Sequence, residues 1–288
     1  MSASLVKHFA VICAAFYPLQ LTYLQVKMLA KTPIVIAGIY LFILPSEAAV
    51  DPLCAKYGSN HTTCIPAKNC PADANGGPCA VTEADKAFIV KYHNEYRQKI
   101  SRGQETRGSP GPQPAGTNLR ELTWNDDLAR TAQRWAEQPV LGHDCQSELV
   151  GYSSVTRCSR IPRYDSVGQN LYLSGSSAKI TSANWKAAID SWIDEVKDVV
   201  STDMTSNGGV IGHYTQVVWS ETREVGCGVF SSNKKCTWAG WNNMNCVKYI
   251  CNYGPAGNMY INGIPQPPYS SKKRCKKLSR KYTGLCAE

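Results

Sequence analysis

The 288-residue sequence predicts an α+β sandwich in which helices cover a small antiparallel sheet and disulfides staple the chain. Two observations carry that expectation. Three stretches with apolar residues at helical spacing precede three short runs rich in β-branched and aromatic residues, an order of helices followed by strands. Thirteen cysteines, with no CxxC pair and no histidine-rich cluster beside them, point to a disulfide framework more than to a zinc ribbon.

The amino terminus agrees with an oxidising destination. Ile34 to Leu44 is an apolar run with Lys31 before it and Pro45-Ser46-Glu47-Ala48-Ala49 after it, the charged, apolar and small-residue regions of a secretory signal. Residues 1–49 are read as a signal region, with the functional signal at 28–49 because Met28 supplies a start close to the run. Pro18, Gln20 and Gln25 interrupt the earlier apolar residues, so no unbroken stretch of about 18 exists and the mature chain is expected not to span a membrane. Cleavage would remove Cys13 and leave twelve cysteines, an even number compatible with six bridges.

Residues 50–80 read as a cysteine-rich arm, with Cys54, Cys64, Cys70 and Cys79 separated by turn formers. Asn60-His61-Thr62 within it is a glycosylation acceptor pattern at Asn60. Thr82 with Asp85 three residues later forms a capping-box pattern, and Ile89, His93, Tyr96 and Ile100 then share one helical face. His93 on that stripe is expected to be a core histidine satisfied by local hydrogen bonds, with Arg97 as a structural donor. A Gly/Pro-rich loop, Gly103 to Gly116, ends this helix. Trp124, Leu128, Ala132 and Trp135 mark a second, with Asn125 near its start and Pro139 closing it.

A third helix, about Trp185 to Val200, sets Trp185, Ile189, Trp192, Val196 and Val199 on one side. At about 100° per residue Asp194 and Asp198 fall opposite that side, while Glu195 lies at its edge and can turn inward. Gly212 to Trp219 then reads as a buried strand around His213, because its β-branched and aromatic residues suit a pleated core. Val225 to Phe230 and Tyr249 to Pro255 follow as strands, with a Cys227 to Cys251 bridge closing the sheet.

From residue 263 the composition shifts to Pro, Ser and Lys, and Cys275 with Cys286 can close a short local loop too small for its own apolar core. Without residues 1–49 the chain holds 28 basic and 21 acidic residues, and seven of the basic ones lie between Lys272 and Lys281. The positive excess is thus a property of a solvated tail, with attraction to acidic lipid or glycan secondary. Nucleic acid is not an expected partner of a secreted chain.

Several short motifs occur together. Gly212-His213-Tyr214-Thr215-Gln216-Val217-Val218-Trp219 and Cys251-Asn252-Tyr253-Gly254-Pro255-Ala256-Gly257-Asn258 resemble the two signature motifs of the CAP superfamily: cysteine-rich secretory proteins, antigen five and pathogenesis-related proteins. His93-Asn94-Glu95-Tyr96-Arg97 resembles its HNxxR signature, and Gly168-Gln169-Asn170-Leu171 its G(E/Q)N motif. Thr106 to Pro114 is similar to a loop of arthropod venom-allergen proteins. The resemblance implies an α-β-α CAP domain over 81–262, between the arm and a 263–288 tail. The longer carboxy-terminal module of vertebrate members is absent, so channel block by that module is not implied.

The resemblance also implies a central cavity with two histidines and two acids, at the positions of His143, His213, Glu195 and Gln169. One acid is here an amide. Two neutral imidazoles can ligate zinc or another divalent ion, with Glu195 as a candidate third ligand, although no cofactor is required. The default reading of the four is a hydrogen-bonded polar network that organises the cavity. A metal-dependent hydrolase or peptidase is the rival from another class, weakened because Gln169 cannot accept a proton. No HExxH helix or G-x-S-x-G elbow is present. The function implied is a secreted, monomeric binding effector of the venom-allergen or salivary antigen-five type, acting on a protein target. A hydrophobic-ligand carrier for lipid or sterol is the alternative within binding.

Overall fold

The computed structural model describes residues 50–70, 72–146, 158–233 and 236–287, so the signal region lies outside the described residues. The arm begins with helix α1 (Pro52–Tyr57), whose N-cap Asp51 accepts a hydrogen bond from the Leu53 N–H at 2.8 Å. Bridges Cys54–Cys64 and Cys70–Cys79 close its two small loops. Helix α2 (Glu83–Ser101) starts at the expected capping box. Thr82 Oγ1 accepts from the Asp85 N–H at 3.1 Å, and the Asp85 carboxylate accepts from the Thr82 N–H at 3.0 Å.

A two-residue strand β1 (Thr123–Trp124) leads into α3 (Asp126–Ala136), capped by Asn125. Strand β2 (Gly168–Ser176), helix α4 (Trp185–Ile193) with a tighter turn at Asp194–Asp198, and helix α5 (Gly212–Val217) follow. The chain then forms β3 (Glu224–Ser232), β4 (Asn245–Gly254) and a small hairpin of β5 (Tyr260–Ile261) and β6 (Ile264–Pro265). The main sheet has the order β1-β3-β4-β2. It is antiparallel except for the short parallel pairing of β1 with β3, a departure from the all-antiparallel expectation.

Alternation along β3 and β4 decides the layers. Val225, Cys227 and Val229 with Val247, Tyr249, Cys251 and Tyr253 face the main core, where Ile89 and Ile100 of α2 and Trp185, Ile189 and Trp192 of α4 pack. Ile250 points the other way, onto Ala132, Trp135 and Ala136 of α3. Cys227 and Cys251 are direct cross-strand partners joined by a bridge. On the α3 side, a Cβ on Gly226 would lie 2.3 Å from the Ala129 nitrogen, and one on Gly228 2.3 Å from the Gln133 backbone. The glycines therefore let a helix backbone rest on the strand.

Three expectations change. Gly212–Val217 is a helix, where a buried strand is predicted; Tyr214, Val217 and Val218 still reach the core, but at helical spacing. Its cap comes from outside the segment: Glu195 Oε2 accepts from the N–H groups of His213 and Tyr214 at 2.9 and 3.0 Å. Gly168–Ser176, where no strand is predicted, pairs with β4 from Gly168↔Tyr253 to Ser176↔Asn245. Strands thus precede α4, and the helices-then-strands order does not hold.

The tail is also not a free solvated segment. Tyr282 and Leu285 join the main core. Cys286 donates its N–H to the Leu119 carbonyl at 2.7 Å and accepts from the Glu121 N–H at 2.8 Å, and a bridge joins Cys275 to Cys286.

Where the Gly/Pro-rich loop begins, the Glu105 side chain is buried among its partners. Its carboxylate accepts from Tyr96 Oη at 2.8 Å, Lys99 Nζ at 2.9 Å and the Arg107 guanidinium at 2.9 Å. Burial acts to raise its pKa, but the hydrogen bonds from Arg107, Lys99 and Tyr96 outweigh it and hold the group at about 2. The folded pKa lies below the unfolded value, so this stabilisation is complete above the ordinary Glu range and is lost as pH falls toward 2. Glu105→Gln is expected to cost about 2–3 kcal/mol at pH 7. Urea unfolding across pH 7 to 2 checks it: the variant and wild-type stabilities should converge at the acid end.

Candidate functional site

The polar residues of α2 are spent on scaffolding. His93 is fully buried; its Nδ1 donates to the Ile89 carbonyl at 2.8 Å and its Nε2 accepts from Tyr253 Oη at 2.9 Å. Burial pulls its pKa down to about 4, which keeps the ring neutral. Asn94 exchanges hydrogen bonds with the backbone of Leu122 at 2.8 Å each way. Arg97, also fully buried, donates to the carbonyls of Arg120, Val217, Trp219 and Thr222 at 2.8 to 3.2 Å. Burial and these internal partners keep both His93 and Arg97 from a ligand.

The four predicted cavity residues are all half-buried and form two pairs. His213, at the start of α5, places Nδ1 2.6 Å from Glu195 Oε1. The other carboxylate oxygen holds the α5 backbone, so both oxygens of Glu195 are engaged by protein N–H groups. His143, in the loop after α3, places Nδ1 3.2 Å from Gln169 Oε1. The Asp144 N–H also donates to that oxygen at 3.3 Å, which fixes the amide orientation, and Gln169 Nε2 donates to Asn252 Oδ1 at 3.0 Å.

The common element is β2, the edge strand of the sheet. Gln169 serves His143, while the neighbouring Asn170 donates through Nδ2 to the His213 carbonyl at 3.0 Å. Trp192 stacks on the His213 ring at 6.5 Å between centroids and donates its indole N–H to the Leu171 carbonyl at 3.1 Å. In both pairs an oxygen that only accepts faces Nδ1. In a neutral ring the proton is therefore on Nδ1, and Nε2 is the nitrogen with the lone pair a metal requires.

Sequence reasoning missed three contributors. Asn170 lies inside a motif already singled out, so its position was a usable signal. Asn252 orients Gln169, and Lys248 has no local signal, since it interrupts an otherwise apolar strand. Lys248 Nζ donates to the carbonyls of Gln138 and Val140 at 2.5 and 3.1 Å and lies 5.3 Å from the Trp135 ring centroid. Trp135 Nε1 donates to the Gly142 carbonyl at 2.9 Å. Together they hold the loop that delivers His143. Burial pushes the Lys248 ammonium pKa down to about 7.

Among the described residues, the single group of three His, Cys, Asp or Glu donor atoms within 4.8 Å of one another is Asp144, Cys145 and Cys158. The two cysteines are bridged to each other, which removes them as thiolate ligands. A cleft of about 420 Å³ lies beside α5, lined by Met204, Ile211, Trp219, Met259, Tyr260 and a run of prolines among others. Asn60 is exposed, as an acceptor asparagine requires, and the Thr62 hydroxyl donates to Asp144 at 2.8 Å. Among the described residues no helix is long and apolar enough to cross a membrane.

The geometry gives Glu195 two tasks, capping α5 and fixing the His213 ring. Glu195→Ala is expected to destabilise the fold by about 1–3 kcal/mol and to speed amide exchange at His213 and Tyr214 at least tenfold. Hydrogen exchange by NMR checks it; unchanged protection at both amides would remove the capping role.

Comparison with known proteins places these features in a group. The model of the cysteine-rich secretory protein family, CAP, matches residues 90–253. Venom allergen 5 of Brachyponera chinensis is 43% identical over 218 residues, covering 70% of this chain and 96% of that protein. Venom allergen 5 of Polistes dominula is 42% identical over 223 residues, covering 74% and 86%. Among solved structures, BmVAL-1 aligns with a TM-score of 0.54 at 26% identity, covering 77% of this chain and 99% of that one. NaASP2, solved with Zn2+, aligns with a TM-score of 0.52 at 26% identity, covering 76% and 100%.

Proposed function

The chain belongs to the CAP family of cysteine-rich secretory proteins, and on that premise we propose that the mature protein is a secreted, venom-allergen-type binding effector that holds a divalent metal ion on His143 and His213. The observation that carries the metal reading is the orientation of the two rings: each has Nδ1 tied to an acceptor, which in a neutral ring leaves Nε2 as the lone pair. This is the arrangement in which an outer partner orients an imidazole ligand and raises its basicity. That the structurally similar NaASP2 is solved with Zn2+ supports a metal reading. Glu195 serves as that outer partner in place of the third ligand, because its two oxygens already hold protein N–H groups. A bound ion would supply a fixed positive charge and open coordination positions for a donor atom of the partner.

The chemistry of the remaining groups favours binding over hydrolysis. A general base must be free to take a proton from water, and Glu195 is committed to His213 and the α5 backbone. Gln169 is an amide. Secretion is supported by six bridges, Cys54–Cys64, Cys70–Cys79, Cys145–Cys158, Cys227–Cys251, Cys236–Cys246 and Cys275–Cys286, which pair all twelve cysteines after residue 49. A second reading, carriage of a hydrophobic ligand, is favoured by the cleft beside α5, whose walls carry Met204, Trp219 and Met259.

Calorimetry with zinc separates these readings. Wild type is expected to bind one ion, and His143→Ala and His213→Ala each to lose at least tenfold in affinity with unchanged circular dichroism. Equal affinity in all three proteins would end the metal reading. A chelator-sensitive cleavage of a peptide library, lost in His213→Ala, would replace the effector with a hydrolase. Native mass spectrometry of secreted material that retains a lipid lost on Trp219→Ala would establish the carrier.

A further inference from the structure

The basic residues of the tail are not where a solvated tail would leave them. A cleft of about 360 Å³ lies between residues 273–277, the Cys286–Ala287 segment and the turn leading from Asn118 to Arg120. Five cationic side chains line it: Arg120, Lys273, Arg274, Lys276 and Lys277. One carboxylate, Glu221, also lines it, 3.3 Å from the Arg120 guanidinium. The four tail cations are exposed and make no ion pair with any described acid. Bringing so many like charges together without compensation costs free energy in the empty protein, and that cost is recovered when an anion enters.

The frame that carries them is fixed. The Cys275–Cys286 bridge closes the loop, and Ala287 donates to the Lys277 carbonyl at 2.9 Å. Thr117 donates to the Ser270 carbonyl at 2.9 Å, while Ser270 donates to Asn118 Oδ1 at 2.7 Å. Leu285 is fully buried in the main core and Tyr282 nearly so. The cations therefore have a set spacing, which a free tail would lack, and little backbone entropy is lost when they are engaged.

We propose that this cleft binds a sulfated glycan chain. Three properties select that class. The site is concave, so it suits a polymer whose sulfates project from a thin backbone better than the flat surface of a bilayer. No large apolar side chain lines it, whereas stable bilayer docking combines basic charge with apolar insertion. No aromatic side chain lines it either, so it lacks the stacking platforms that single-stranded nucleic acids use. The site is distinct from the His143/His213 pairs and does not depend on metal there.

The test uses the full mature chain and a heparin hexasaccharide as probe. Titration calorimetry should show binding that weakens with salt, because exposed charges carry it. Replacing Lys273, Arg274, Lys276 and Lys277 with Gln should weaken binding at least tenfold. A control with Lys56, Lys91, Lys179 and Lys197 replaced by Gln loses the same charge elsewhere and should stay within about twofold. His213→Ala and added chelator should leave heparin binding unchanged. Equal weakening in the two fourfold variants would show that net charge alone is responsible and overturn the site, as would absence of binding by wild type. Loss of binding to phosphatidylserine vesicles in the cleft variant, without heparin binding by wild type, would assign the surface to a membrane instead. The single variant Lys276→Glu, expected to weaken binding at least threefold, guards against misfolding of the fourfold one.

Discussion

Arg97 is the interaction on which the placement of the site depends. A guanidinium removed from water must find acceptors for its N–H groups, and this one finds four carbonyls in two distant parts of the chain. Two of them, Val217 and Trp219, sit at the end of α5, the helix that presents His213. Truncating Arg97 would leave those carbonyls buried and unpaired as well as opening a void. Asn94 does the same for the backbone of Leu122 ahead of β1, and His93 meets the Tyr253 hydroxyl of β4, so one face of α2 is a socket for polar groups of distant segments. The motif is thus chemical in composition but architectural in effect.

The candidate site inherits its order from this frame by two routes. His213 is reached through α5, whose two ends are held by Glu195 and Arg97. His143 is reached through a loop held from beneath by Lys248 and Trp135. Each histidine is held through a neighbouring element, which explains how both can be half-exposed and still have a fixed ring orientation. The edge strand β2 meets the two routes at consecutive residues, Gln169 and Asn170, whose side chains lie on opposite sides of the strand. Gln169 supplies the acceptor that orients His143 without bringing a negative charge or a proton-accepting group.

Legibility in the sequence follows how local each cause is. The capping box at Thr82 and Asp85, the apolar stripe from Trp185 to Val199, the inward turn of Glu195 and strands β3 and β4 rest on neighbours within a few residues, and all could be read. Helix α5 could not, because its cap is Glu195, eighteen residues upstream, and its β-branched residues argued for a strand. Strand β2 was hidden because an edge strand half open to water needs no apolar alternation, only a partner, and Gly168 to Ser176 finds it in β4. The site residues themselves came from motif resemblance; what the sequence did not disclose was that they act as two separately held pairs. The docking of the tail likewise rests on Tyr282 and Leu285 reaching a core assembled from distant segments.

The six bridges have a consequence for how the chain matures. Their sequence separations are 10, 9, 13, 24, 10 and 11 residues, and the one spanning 24 encloses the Cys236–Cys246 bridge, so each pairing joins neighbouring cysteines or nests around such a pair. Closing a short loop sacrifices less chain entropy than closing a long one, so diffusion alone favours these partners in an unfolded polypeptide. On the proposed secretory route, cysteines emerging in order into an oxidising lumen would meet the correct partner before most wrong ones exist. The vast combinatorial space of twelve thiols is thereby reduced by order of synthesis, and isomerase is needed chiefly around the nested quartet of Cys227, Cys236, Cys246 and Cys251, where a neighbour-first rule would join the wrong sulfurs.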